Sequence, residues 1–286
     1  MKNTIKLMVV MTGWMITTAS YGSTMITFED AINRGLISYH VSTDYVANRS
    51  MELELNNNSN NPINVQLETG RIFYATQDIQ PYVVTRPSII ALAPHAQEEV
   101  MIYARCGNSS AKSPSHETRF GKTKMGPELL VQALTELNNL RINDNSFAQQ
   151  VVWHYTNGHS LNSIIVHTDN EKELLKRMCD NENAEFPWYQ KHYAPSPTGN
   201  DLDFSNVPTL IQGDMQVVLT QPTNVQVKLY NSEGKSIKTI SAFLNQPAGQ
   251  CSIPLNINLS DIAKGDYKIV IENDAGAKIE ERAIAV

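Results

Sequence analysis

No run of basic residues longer than two occurs in the 286 residues, and the net charge is −6. Nucleic-acid grooves and anionic membrane anchors both need clustered lysine and arginine, so neither partner is expected. Cysteine is scarce: Cys106, Cys179 and Cys251 are the only three, with no Cys-x-x-Cys spacing among them. Structural zinc and thioredoxin-like redox sites therefore lack their ligands, and the odd count leaves at least one thiol outside any internal disulfide. Histidine is absent after His192, and the nearest carboxylate to the group His154, His159 and His167 is Asp169. A five-residue step does not put His154 and His159 on one helical face, so no metal and no cofactor is expected. Gly121-Lys122-Thr123 lacks the glycine that a phosphate loop needs five residues earlier, where His116 stands.

No apolar stretch is long and unbroken enough to span a bilayer stably. The nearest, residues 7–16, follows Lys2 and Lys6 and precedes the small residues Ser20 and Gly22. That order predicts a signal peptide over residues 1–22 and an exported protein, secreted or held at the cell surface.

What is present is 41% hydrophobic residues, enough for two cores, distributed with changing period. Residues 28–37 read as a short helix. Strict alternation over 51–55 and 63–67, across an Asn-rich turn, predicts an antiparallel pair. Further strands are expected at 71–74, 82–85, 88–92 and 99–104, with Pro81, Pro87 and Pro94 between them. Three helices follow, near 127–140, 145–157 with Asn145 as its cap and Asn157-Gly158 as its stop, and 169–179 behind a Thr168–Glu171 capping box. The proline-rich stretch 185–208 reads as a linker whose aromatics cover the first domain. Short strands with glycine turns fill 209–286. The expected architecture is mainly β with a helical insertion: an N-terminal antiparallel β-sandwich plus three helices over 23–184, then an Ig-like β-sandwich.

Cys106 closes the strand-rich region and Gln149 lies on the second predicted helix, one turn before Trp153. A thiolate can attack a glutamine carboxamide and expel ammonia, leaving an internal thioester that a foreign amine later captures. The residues themselves leave three states open for Cys106: thioester, disulfide with Cys179, or inert buried thiol. A Cys-His hydrolase is the enzymatic rival, with His154 or His167 as base and Asp169 or Asn162 as orienting group. A purely structural envelope component is the third reading.

The run Gln149-Gln150-Val151-Val152-Trp153-His154-Tyr155-Thr156 resembles the Gln-x-Ala-Ile-Trp-x-x-Thr helix of bacterial thioester domains in surface adhesins, over about residues 50–160. Val151 replaces the usual alanine, and Gly107 stands where an aromatic is common. The resemblance implies a non-enzymatic binding protein in which Cys106 and Gln149 carry the bond, Trp153 supports them, and the partner is a surface ligand or a host or neighbouring protein. Residues 225–230, Gly234-Lys235, Pro247-Ala248-Gly249, Gly265-Asp266-Tyr267 and the closing Ile284-Ala285-Val286 resemble C-terminal sorting domains of the type IX secretion pathway. That second resemblance implies contact with secretion machinery.

Overall fold

A computed structural model describes residues 24–42, 50–75, 78–115, 117–195 and 204–286. The expected signal peptide lies outside the described residues. Among them no helix is long and apolar enough to cross a membrane.

The fold is mixed: a β-rich N-terminal region, a central helical cluster, and antiparallel sheets at the C-terminus. The N-terminal region opens with β1 (Thr24–Thr27), α1 (Phe28–Asn33), β2 (Ile37–Ser42) and β3 (Ser50–Asn57). It continues through β4 (Ile63–Leu67), β5 (Arg71–Ala75), β6 (Tyr82–Val84), β7 (Ser88–Leu92), β8 (Gln97–Cys106) and β9 (Phe120–Met125). Six of these strands hydrogen-bond in the order β2-β3-β8-β6-β5-β9, and the two edge strands approach each other, so the sheet curls almost into a barrel. β1, β4 and β7 form a second, three-stranded sheet.

Period-two alternation sorts the side chains of the curled wall. Phe73, Tyr82, Val84, Ala104 and Cys106 turn into the first core, while Ile72 and Val83 turn outward. Those two outward residues seat the helices α2 (Glu128–Asn139), α3 (Asn145–Asn157) and α4 (Asp169–Glu182), whose Leu130, Leu134, Val151, Val152, Leu174 and Met178 form a second core. α4 carries the expected capping box, with Thr168 Oγ1 accepting from Glu171 N and the Glu171 carboxylate accepting from Thr168 N.

The C-terminal region comprises β10 (Tyr189–Tyr193), β11 (Pro208–Leu219), β12 (Thr223–Asn231), β13 (Ser236–Gln246), β14 (Gly249–Asn258), β15 (Asp266–Asn273) and β16 (Lys278–Ala285). They pair as β10-β11-β14 and β13-β12-β15-β16 around a third core that includes Ile211, Val227, Leu229, Ile253 and Ile269.

Four expectations need correction. The alternating runs 51–55 and 63–67 are not a hairpin: β3 pairs with β2 and β8, and β4 with β1 and β7. The buried Asn57 carboxamide donates to the Asn61 and Ala93 carbonyls and accepts from Ser59, so the Asn-rich segment carries the chain between sheets instead of folding it back. β1 runs parallel to β4, which an all-antiparallel reading excludes. The stretch 185–208 contains a strand, since β10 pairs antiparallel with β11. Gly213 permits that approach, because a Cβ there would lie 2.5 Å from the Trp188 carbonyl. Finally, Cys106 and Cys179 lie in different cores and are not bonded to each other, so the disulfide is not formed.

Candidate functional site

β8 pairs with β6 on one side through Cys106 opposite Tyr82, while the described part of β3 on its other side ends opposite Tyr103. Further along that edge β8 meets α3. Asn145 accepts a hydrogen bond from the buried Arg105 guanidinium. One turn further, Gln149 Oε1 accepts from the Cys106 main-chain N–H at 3.1 Å and Gln149 Nε2 donates to the Cys106 carbonyl at 2.7 Å. The carboxamide thus makes one more rung of the ladder.

Capping fixes the register that brings Gln149 here. Asp144, not Asn145, is the cap: its side chain accepts from Ser146 N and Phe147 N, leaving Asn145 to bind Arg105. Gly158 ends the helix in the left-handed region at φ 69°.

Cys106 and Gln149 are 3% and 2% exposed, and the seam between barrel core and helical core excludes water at both. Cys106 packs in the barrel core that also holds the stacked rings of Tyr82 and Phe120, whereas the neighbours of Gln149 on α3 belong to the helical core. Gly107 anchors the strand end by donating its N–H to the Pro81 carbonyl at 2.7 Å. A Cβ at Gly107 would stand 2.9 Å from Pro81 Cγ and 3.3 Å from Val83 Cγ2, so no aromatic side chain fits at this position. Gly107→Ala is expected to lower unfolding free energy by about 1–3 kcal/mol through overpacking, read as a shifted denaturant midpoint at constant m.

The loop after Cys106 is stapled to the end of α3. Asn157 Oδ1 lies 2.6 Å from both the N and the Oγ of Ser109, and His159 Nε2 is 2.8 Å from the same hydroxyl. Trp153, four residues after Gln149 and 4% exposed, packs against His159 and Phe204 with ring centroids at 5.5 and 4.9 Å. Phe204 also touches His159 and Tyr193, so an aromatic cluster covers this end of the helix. Burial, with a smaller contribution from His154, pushes the His159 pKa below the ordinary imidazole value. Sequence reasoning weighed His159 only as a metal ligand and did not bring Ser109 and Asn157 to it; the signal was the Asn157-Gly158 stop, which places His159 directly after the helix bearing Gln149.

His154 spends its ring nitrogens elsewhere, on the Glu182 carboxylate at 2.8 Å and on the His159 carbonyl. It is a strut between α3 and α4. The same Glu182 raises the pKa of Tyr155, after burial, and contributes with burial to raising that of Cys179. His167 stands just before α4, its main-chain N–H bonded to Glu171. Among the described residues no group of three or more His, Cys, Asp or Glu side chains gathers as metal ligands.

No protein-family model matches the chain. No curated protein matches it either. Among solved structures, a β-glucosidase from Kluyveromyces marxianus is similar at 10% identity with a TM-score of 0.22, over 85% of this chain and 45% of that one. The chain spans less than half the length of that structure, and a likeness this slight carries no argument about fold or activity.

Proposed function

We propose that this is an exported binding protein that captures amine-bearing partners covalently through a Cys106–Gln149 thioester. One observation carries the reading: the Gln149 carboxamide, 43 residues from Cys106, is held on the main chain of that cysteine in a buried seam. Attack of the thiol on the carboxamide carbon forms the S–C bond, breaks the C–N bond and releases ammonia, which carries off the thiol proton. The oxygen that stays behind is already 3.1 Å from the Cys106 N–H, so that donor stabilises the oxyanion of the tetrahedral intermediate. An incoming amine reverses the logic: a C–N bond forms, the C–S bond breaks and the thiol is restored. Water exclusion protects the acyl group meanwhile.

The two C-terminal sheets fit an Ig-like module that docks or sorts the protein, consistent with the signal-like N-terminus and with the turn and Gly-x-Tyr pattern described above. In this reading it supplies no reacting group.

Intact mass under reducing conditions tests the proposal. The mature chain is expected to weigh one ammonia less than its composition requires and to gain one methylamine on treatment. Full mass and no adduct would leave the second reading, a structural one, which a specific observation favours: Gln149 bonds the main chain of Cys106, as a clamp on the strand end would.

A further inference from the structure

The helical core and the C-terminal core share no residue, and β10 is the strand of the C-terminal sheets that touches the helical region. One edge of β10 pairs with β11 through the main chain, whereas its bonds to the helical region run through side chains, to the short 3-10 turn Leu161–Ser163 and the residue after it. The Tyr193 hydroxyl lies 3.0 Å from Ser163 Oγ, Gln190 Nε2 donates to the Ile164 carbonyl at 3.5 Å, and Tyr189 meets the Asn162 side chain. A junction this small and polar can part while the folded units on either side persist. We propose that it is an acid-sensitive latch, closed while the His192 ring is neutral and opened by protonation of that ring, which releases the C-terminal sheets from the helices.

Two buried polar atoms at this junction have no hydrogen-bond partner among the described residues, His192 Nε2 and Asn162 Oδ1. Gln212 on β11 holds the His192 ring through a side-chain hydrogen bond, and because Nε2 has no partner that bond is made at Nδ1. A neutral ring fits this site: Nδ1–H donates to the Gln212 carboxamide and Nε2 carries only a lone pair. Protonation puts a charged N–H at Nε2, buried and with nothing to receive it. Opening the junction gives that hydrogen to water, so the protonated ring favours the open form.

The surrounding charges act in the same direction. His167, just before α4, is near enough for its charge to oppose one on His192. Lys191, the neighbour of His192 on β10, is itself held below the ordinary lysine value by burial and then by Lys264. Among the described residues no carboxylate pairs with His167, Lys191, His192 or Lys264. The remaining titratable side chains of β10 are the phenols of Tyr189 and Tyr193, and beyond Phe204 stand His159 and His154. Burial, opposed in part by Gln212 and assisted by His167, holds the His192 pKa below the ordinary imidazole value. The folded value lies under the unfolded one of about 6.5, so the latch stabilises fully above that value and loses its hold as pH falls through the folded one. Each proton taken up on opening steepens the open-to-closed ratio by at most about tenfold per pH unit.

The test follows the full chain from about pH 7.5 to about pH 5 by small-angle scattering and tryptophan emission, with far-UV circular dichroism to confirm that secondary structure persists. Trp153 reports the change, because Phe204, whose ring centroid lies 4.9 Å from that of the indole, precedes β11 and leaves with it. Wild type is expected to expand reversibly and shift its emission to longer wavelength below about pH 6.5. His192→Gln keeps a group that can bond Gln212 but cannot ionise, and is expected to stay compact throughout. His159→Gln should retain the wild-type profile. Should His192→Gln not fold, NMR titration of the wild-type imidazoles decides: His192 is expected to titrate below the unfolded value, in step with the expansion. A wild type that stays compact to about pH 5, an ordinary His192 titration, or a His192→Gln protein that opens as the wild type does would each overturn the latch. So would an expansion that disappears in His159→Gln instead.

Discussion

Gln149→Leu is expected to destabilise the fold by about 2–6 kcal/mol, because it strands two buried main-chain groups at roughly 1–3 kcal/mol each. Cys106 is 3% exposed, and its N–H and carbonyl on this side have the Gln149 carboxamide as their partner. Leucine offers neither donor nor acceptor, and β3 is described only as far as the rung opposite Tyr103. Denaturant unfolding reads the loss as a lower midpoint. On the proposed function the same variant also lacks the carboxamide carbon that acylates the sulfur, so it should have full mass and no reaction with methylamine. Gln149→Glu separates the two effects. Burial keeps a carboxyl there protonated, and a protonated carboxyl can accept from the Cys106 N–H while donating to the Cys106 carbonyl. Its folded pKa is raised above the unfolded value of about 4.3, so the stabilisation is complete below that value and lost as pH rises through the folded one. The variant should thus approach wild-type stability in acid, weaken towards neutrality, and remain inert to amines throughout. An unchanged midpoint for Gln149→Leu would show that the ladder rung contributes nothing.

How far the sequence foretold this arrangement can be judged at particular residues. Alternation assigns a face to each side chain, which is why the inward set of β3, Met51, Leu53 and Leu55, was legible and is fully buried. It does not name the neighbour across the hydrogen bonds, so two well-patterned runs joined by the seven Asn-rich residues 56–62 read as a hairpin when they belong to different sheets. What decided the matter was one carboxamide, Asn57, whose buried bonds to Asn61 and Ala93 no periodicity registers. Helix ends were more readable, since caps are local: Gly158 and the Thr168–Glu171 box were visible as residue types at fixed offsets. The cap of that helix slipped by one residue because Asp144 and Asn145 are both good caps, and only Arg105, from a strand 40 positions away, assigns them different duties. The motif pairs Cys106 with Gln149 as reacting groups, whereas what the structure shows is the carboxamide on the main chain of Cys106, a contact no motif registers because it depends on which element lies along that edge of β8. β10 was hidden by the prolines that flank it, Pro187 and Pro195: Tyr189–Tyr193 is half-buried with little aliphatic character, and only the missing side chain of Gly213 lets it lie on β11.

Trp153→Ala is expected to cost about 3–5 kcal/mol, the range for emptying a buried large aromatic site. The indole is 4% exposed and is the contact that ties α3 to both His159 and Phe204, so its loss opens a gap between helix, loop and the chain entering β11. Unfolding midpoint is the first readout. Cleavage by chymotrypsin beside Phe204 is the second, and it should accelerate in Trp153→Ala as that ring loses its cover. Trp153→Phe should behave differently. The indole Nε1 is buried with no hydrogen-bond partner among the described residues, so phenylalanine gives up volume but also removes an unsatisfied N–H worth about 1–3 kcal/mol. The two changes oppose each other, and the variant is expected to fall within about 1–2 kcal/mol of wild type while keeping Phe204 protected. This contrast bears on the chemistry, because an acyl–sulfur bond survives only where water is absent. If the proposed thioester is present, Trp153→Ala protein should therefore lose amine reactivity during storage as water opens it to a free carboxyl and a thiol, whereas Trp153→Phe protein should retain it. Equal shelf-lives for the two would mean that the aromatic cluster stabilises the helix end without sealing the seam.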